Sequence, residues 1–149
     1  MGLKILGTGS ALPSNMVTNE QLTKMVDTSD EWIASRTGIR QRHISTGETT
    51  TELCVRAARR ALENAGMQAE ELELIVVATL SGDRALPNTG CEVQRELNAV
   101  HATAFEINAA CSGFLFALNT VQAYMAAGLY RKALVIGGEV LSKLVDWTD

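Results

Sequence analysis

The chain has 149 residues, 46% of them hydrophobic and 20% charged, and a formal net charge of −4. That length suits one domain, residues 1–149, with a real core, and the ordinary charge balance gives no reason to expect nucleic acid or a membrane surface as partner. Three cysteines with no C-x-x-C pair argue against a disulfide framework or a zinc site and suit the reducing cytosol, so a cytoplasmic location is expected.

The N-terminal run Met1-Gly-Leu-Lys-Ile-Leu6 is too short for a signal peptide, and Leu6 stands where myristoylation requires serine or threonine. Leu3 to Leu6 is expected to be a short strand and Gly7 to Pro13 a turn. Gly7 and Gly9 match the first two glycines of a dinucleotide-binding loop, but Leu12 replaces the third and Pro13 follows where a helix should be under way, so that reading is rejected.

Asn19 to Met25 and Ser29 to Ser35 are expected to be short helices, the second capped by Ser29 with Asp30 and Glu31 in its first turn. Trp32 and Arg36 are four apart and share a face. An indole beside a guanidinium can hold a flat heteroaromatic ring and a phosphate. Burial of Trp32 in the core is the competing reading. Arg40, Arg42 and His43 make this segment basic, or are simply solvated charges.

Thr49 to Ala65 carries clear helix signals, with Glu52 behind the threonines and Gly66 as the stop. Cys54, Ala57, Ala58, Ala61, Leu62 and Ala65 form one apolar stripe, which makes Cys54 structural. Leu74 to Thr79 is a continuous apolar run, as expected of a strand covered on both faces of a parallel sheet. Leu80 to Pro87 follows as a loop, and Asn88 to Asn98 as a helix in which Cys91 serves packing or a dimer contact. His101 lies in the next connection and reads as a surface or turn residue.

Ala104 to Leu118 organises the rest. Phe105 and Ile107 alternate with Glu106 and Asn108 as in a strand, and a helix is expected from Ser112 to Gly128, which places Cys111 at a strand-to-helix elbow. A thiol attacks as thiolate, and amide groups at a helix N-terminus favour the charged form. Small residues on both sides of Cys111 leave room for a carbonyl. The helix is apolar or small nearly all round, so it is expected to be a buried central helix. Asn119 and Gln122 mark it as a core helix rather than a membrane span. Leu134 to Gly138 is another buried strand, and strand, helix, strand, helix, strand indicates an α/β fold with a mainly parallel sheet.

The run Asn108-Ala-Ala-Cys-Ser-Gly-Phe114 resembles the nucleophile motif of the β-ketoacyl-acyl carrier protein synthase III family of thiolase-fold condensing enzymes. Val26 to His43 is similar to the family's N-terminal segment, and the order and spacing of the two motifs agree. The resemblance implies a thiolase-like α/β fold, here an incomplete N-terminal half. It implies an acyltransferase that initiates fatty acid synthesis by joining an acyl-CoA, acetyl-CoA first, to malonyl-acyl carrier protein.

By the same resemblance Cys111 is the acylated nucleophile, and Thr28, Trp32 and Arg36 contact the adenine nucleotide end of coenzyme A. Leu86, contributed across a homodimer interface, lines the acyl pocket, and its leucine, where many members have phenylalanine, implies a different pocket shape. No separate cofactor or metal is implied, acyl-CoA being substrate, and neither nucleic acid nor membrane is a partner. Family members take their catalytic histidine and asparagine, and one oxyanion-hole glycine, from a second half. The chain is therefore expected to be deficient in condensation by itself, whether as a fragment, as one of two polypeptides or as a truncated product. A relative priming polyketide or quinolone-like synthesis with a longer acyl group, and a non-catalytic thiolase-fold interaction subunit, are the competing readings.

Overall fold

The computed structural model describes residues 2–147. They form two compact units, one of residues 12–48 with 140–147, the other of residues 2–11 with 49–139.

In the smaller unit β1 (Met16–Thr18) and β2 (Gln41–His43) pair antiparallel, with Met16 opposite His43. These strands had no signal in the sequence, because three residues are too few to show a period. Between them lie α1 (Asn19–Leu22) and α2 (Asp30–Thr37). Thr18 and Gln21 form a reciprocal cap at the start of α1, and the Ser29 hydroxyl accepts from the Trp32 amide at 3.0 Å at the start of α2. The helix expected over residues 19–25 stops at Leu22, where the Thr23 hydroxyl donates to the Glu20 carbonyl and competes with the helical pattern.

Asn19 is the buried hub of this unit. Its amide nitrogen donates to Asp30 at 2.7 Å and to the Ile39 carbonyl at 2.8 Å, while its oxygen accepts from Arg42. Arg40 pairs with Asp30, and His43 Nδ1 bonds to the Pro13 carbonyl. The segment's basic groups are therefore engaged internally.

The Glu48 carboxylate accepts from the Ser14 amide at 2.9 Å, the Ser14 hydroxyl at 3.1 Å and the Thr46 amide at 3.0 Å. These bonds, the Ser14 amide foremost, hold its pKa down at about 2 against an ordinary 4.5. A carboxyl depressed in this way stabilises the fold above its ordinary value and loses that contribution as pH falls toward the folded value. Stability followed by circular dichroism is thus expected to drop between pH 4.5 and about 2, and Glu48→Gln to flatten that part of the curve. An unchanged acid limb in the variant would refute the assignment.

The larger unit is built on a parallel sheet in the order β4-β3-β5. In chain order its elements are α3 (Thr50–Ala65), β3 (Leu74–Ala78), α4 (Thr89–Leu97), β4 (Thr103–Ile107), α5 (Gly113–Ala126) and β5 (Ala133–Gly137). Val76 lies opposite Phe105 on one side and Val135 on the other. All five residues of β3 are buried. Alternation along β3 sends Ile75 and Val77 to a cluster with Cys54, Ala58, Leu62 and Val93 of α3 and α4, and Leu74, Val76 and Ala78 to a cluster with Ala117 and Val121 of α5. The connection through α4 steps one way across the sheet and the connection through α5 steps the other way. Right-handed crossovers then require the two helices on opposite faces, as observed.

Helix ends follow local chemistry. Thr49 and Glu52 form a capping box on α3, and Gly66 closes it at φ 64°, a left-handed value that glycine adopts without strain. Two expectations need correction. Leu3 to Leu6 is not a strand, because no partner strand among the described residues takes its backbone bonds. Gly7 and Gly9 do not make a turn; they lie against the α3 backbone, where a Cβ on Gly7 would sit 2.5 Å from the Ala61 carbonyl oxygen.

Helix α5 is buried along one stripe only, Gly113, Ala117 and Val121. Phe114, Leu115 and Phe116 are exposed, Leu115 by 63%, so α5 is not a fully buried central helix here. Its small residues press on the sheet, and no described element covers its other side.

Candidate active site

Strand β4 ends at Ile107, and the chain turns through a 3₁₀ segment, Ala110–Ser112, before α5 begins at Gly113. Ala110 holds φ 45°, a left-handed value that costs a residue with a Cβ some strain. The turn is closed by the Ser112 amide donating to the Ala109 carbonyl at 3.1 Å. Gly113 lies under the turn, where a Cβ would meet the Ala78 methyl at 3.1 Å. The elbow is thus seated on the C-terminal end of β3, and Cys111 lies exposed on it. Ser112 makes no side-chain cap to α5.

The other thiols differ. Cys54 is buried against Gly138; burial first, then the negative charges of Asp83 and Glu139, push its pKa up to about 12. Cys91 is half-buried, its sulfur 3.8 Å from the Ala104 carbonyl oxygen. Iodoacetamide at pH 8 is accordingly expected to label Cys111 first, Cys91 slowly and Cys54 only on unfolding, as peptide mapping would show. Early labelling of Cys54 would contradict its placement.

The loop from Leu80 to Pro87 leaves the neighbouring strand end and carries Leu86, 84% exposed. Three carboxylates hold this loop. Glu139, just past β5, accepts from the Leu80 amide at 2.8 Å, the Ser81 amide at 3.1 Å, Thr79 Oγ1 at 3.2 Å and the Ser81 hydroxyl. Asp83 accepts from the Thr50 and Thr51 amides at 3.0 and 2.8 Å, where a carboxylate complements the positive end of α3. Arg84 pairs at 3.2 Å with buried Glu92, which also accepts from Thr51 Oγ1 at 2.8 Å. Sequence reasoning did not single out Glu139, Asp83 or Glu92, because their partners lie far away along the chain. Cys111 and Leu86 both stand on loops at the C-terminal end of the sheet, the position at which α/β folds place their sites. His101 precedes β4, at the opposite end of the strand from Cys111.

In the smaller unit Trp32 is 53% exposed, which rules out the core reading. The Arg36 guanidinium stacks over its ring, 4.5 Å from the centroid. Trp32 and Thr28 line a cavity of about 750 Å³ with Leu22, Val26, Asp27 and, unforeseen from the sequence, Trp147. Among the described residues no cluster of histidine, cysteine or carboxylate groups could hold a metal ion, and no helix is long and apolar enough to cross a membrane.

A parallel sheet with an elbow cysteine at its C-terminal edge defines the class as thiolase-like, and solved structures agree. Over 99% of the chain and 48% of its own length, the 3-oxoacyl-[acyl-carrier-protein] synthase III of Aquifex aeolicus superposes with a TM-score of 0.96 at 49% identity. The priming β-ketosynthase of the R1128 polyketide pathway superposes with a TM-score of 0.93 at 35% identity, over 98% of the chain and 44% of its own length. The family model for 3-oxoacyl-[acyl-carrier-protein] synthase III matches residues 105–149. A β-ketoacyl-[acyl-carrier-protein] synthase III of Clostridium acetobutylicum is 52% identical over 147 residues, which is 99% of the chain and 45% of the relative. That of Hyphomonas neptunium is 51% identical over 97% of the chain and 45% of its own length. Along nearly its whole length the chain is similar in sequence and fold to β-ketoacyl-[acyl-carrier-protein] synthase III proteins, and it spans about half the length of the curated relatives it matches.

Proposed function

We propose that this chain is the nucleophile-bearing portion of an acyltransferase that initiates fatty acid synthesis. The observation that carries the reading is Cys111, an exposed thiol on an elbow at the C-terminal sheet edge, in a chain 52% identical to a protein named for this synthase.

The Cys111 thiolate attacks the carbonyl carbon of an acyl-CoA thioester; the carbon–sulfur bond to coenzyme A breaks, and coenzyme A leaves as thiolate and takes up a proton. The acyl-enzyme then meets malonyl-acyl carrier protein. Loss of carbon dioxide leaves an electron pair on the malonyl α-carbon, which forms the new carbon–carbon bond and expels the Cys111 thiolate. Negative charge passes through a carbonyl oxygen in both stages. The Cys111 amide is a candidate donor to it in the first, and one such donor is typically worth about 3 kcal/mol.

The histidine of this unit, His101, lies at the far end of β4 from the elbow. Thr28, Trp32 and Arg36 hold the adenine nucleotide end of coenzyme A in this reading. Leu86, on its braced loop, meets the acyl group of a partner subunit in a homodimer. The site takes acyl-CoA as substrate with no added cofactor, and the chain works in the cytoplasm.

Priming of polyketide synthesis is the second reading, favoured by the R1128 priming synthase at 35% identity and by leucine at position 86. Intact mass with peptide mapping after incubation with acetyl-CoA tests the proposal. One acetyl group on Cys111 is expected. A longer acyl group loaded in preference to acetyl would favour the second reading, and no adduct from any acyl-CoA would overturn the first stage for this chain.

A further inference from the structure

Strand β3 is the central strand of its sheet, and the loop that leaves it, residues 80–87, carries Leu86. Where strand passes into loop the backbone is fixed from both sides. The Gly138 amide donates to the Ala78 carbonyl, and the Thr79 amide to the Ile107 carbonyl, each at 3.1 Å. The Cys111 elbow rests on the same point, with Gly113 against the Ala78 methyl. We propose that Glu139 is a positioning residue for acyl-chain selection: its carboxylate fixes the root of this loop, and through it the position from which Leu86 meets the acyl group. This deepens the acyltransferase reading and rests on its assignment of Leu86 to the acyl pocket.

The Glu139 carboxylate takes four hydrogen bonds from three consecutive residues, Thr79, Leu80 and Ser81. A carboxylate offers about four lone-pair sites and no donor, so acceptor and donors match in kind and number. One oxygen takes the Leu80 amide, and the other takes both Ser81 donors and the Thr79 hydroxyl. A glutamine of the same shape has to turn an N–H toward at least one of these donors. It also loses the charge that makes such bonds roughly twice as strong as neutral ones.

Farther along, the loop is tied at short intervals. The Ser81 carbonyl accepts from Thr50 Oγ1 at 2.6 Å, Asp83 accepts from the first amides of α3, and Arg84 reaches Glu92 at 3.2 Å. Beyond Leu86, Asn88 caps α4 and the Thr89 amide donates to Glu106 of β4 at 2.9 Å. These fastenings bracket Leu86 at Arg84 and Asn88, so a rearrangement at the root passes to the tip instead of being absorbed in slack chain. Glu139 follows β5 rather than lying in the loop, and so ties the root to the sheet.

The test compares rates of Cys111 acylation, read by intact mass, with acetyl-CoA and with hexanoyl-CoA in the parent, E139Q, S81A and L86A. One methylene more or less in an apolar pocket is commonly worth about tenfold or more in rate. A loosened loop yields to the longer chain, so E139Q is expected to move the rate ratio about tenfold toward hexanoyl, the direction in which L86A moves it by enlarging the pocket. S81A removes one donor and is expected to move the ratio a few-fold the same way, and to add little when combined with E139Q. Circular dichroism checks that each variant is folded. A second readout needs no acyl transfer. Trypsin is expected to cut after Arg84 about tenfold faster in E139Q than in the parent, with Arg131, which precedes β5 at the opposite end of the sheet, as internal reference. A parent-like ratio in E139Q beside a shifted L86A, or parent-like cleavage after Arg84, would overturn the role of Glu139 and leave the acyl-pocket reading standing. A ratio unmoved by L86A, or a parent chain that loads neither acyl group, would overturn that reading and the inference together.

Discussion

Cys111→Ala is expected to abolish acyl transfer to the chain, with no acetyl adduct by intact mass under conditions that load the parent. The chain has three thiols, so the size of the loss depends on whether another can substitute. With a pKa near 12, Cys54 is thiolate in only about one molecule in 100,000 at pH 7, and its sulfur is packed against Gly138. Cys91 lies on α4, half-buried and facing the Ala104 carbonyl. Both are therefore expected to be poor acceptors, and the residual adduct should be below one part in a hundred. Cys111→Ser separates position from chemistry. It keeps the elbow and a nucleophilic atom but replaces a thiol with a much weaker hydroxyl nucleophile, and slow or absent loading is expected. Adduct formation on Cys91 at the parent's rate would show that the elbow is not the acceptor.

Gly90→Ala should cost the fold about 3 kcal/mol, near the top of the range for overpacking. The added Cβ would lie 2.5 Å from the Phe105 carbonyl oxygen and 2.7 Å from its carbon. Both are backbone atoms of a strand paired to β3, so neither can swing aside as a side-chain tip would. Relief requires α4 to lift from β4, which thins the cluster formed by Val93, Leu97 and Ala102. A loss of that size corresponds to roughly 6–12 °C in Tm for a chain of this length. The matched control is Gly128→Ala, where a Cβ meets nothing within 4 Å but φ is 75°, and only about 1 kcal/mol is expected. Because β4 leads directly into the elbow, Gly90→Ala should also slow acylation of Cys111. A Tm within 2 °C of the parent would show that α4 can shift freely.

Much of the larger unit was legible because its signals are local. Caps at Thr49 and Gly66 bound α3 where the sequence placed them, and Asn88 and Asn98 bracket α4. The apolar run at Leu74 became the fully buried central strand. Alternation put Phe105 and Ile107 on one side of their strand, and both pack in the cluster with Ala117 and Val121 of α5. Leu3 to Leu6 failed because a strand exists only with a partner, and hydrophobic spacing does not report one. Helix α5 failed differently: its composition records how apolar the helix is, while its burial depends on what lies over it.

By itself the sequence determined the α/β class, the ends of the long helices, the elbow around Cys111 and the family motifs, since caps, periods and short motifs act over a few residues. Only the tertiary structure decided which thiol is exposed, that Gly7 and Gly9 serve close packing on α3, and that Glu139, Asp83 and Glu92 brace the loop bearing Leu86. It also decided that Trp32 faces a cavity which Trp147 helps to enclose. Those features pair residues as many as 115 positions apart, and such pairings follow from how packed layers bring side chains together, which no local pattern encodes.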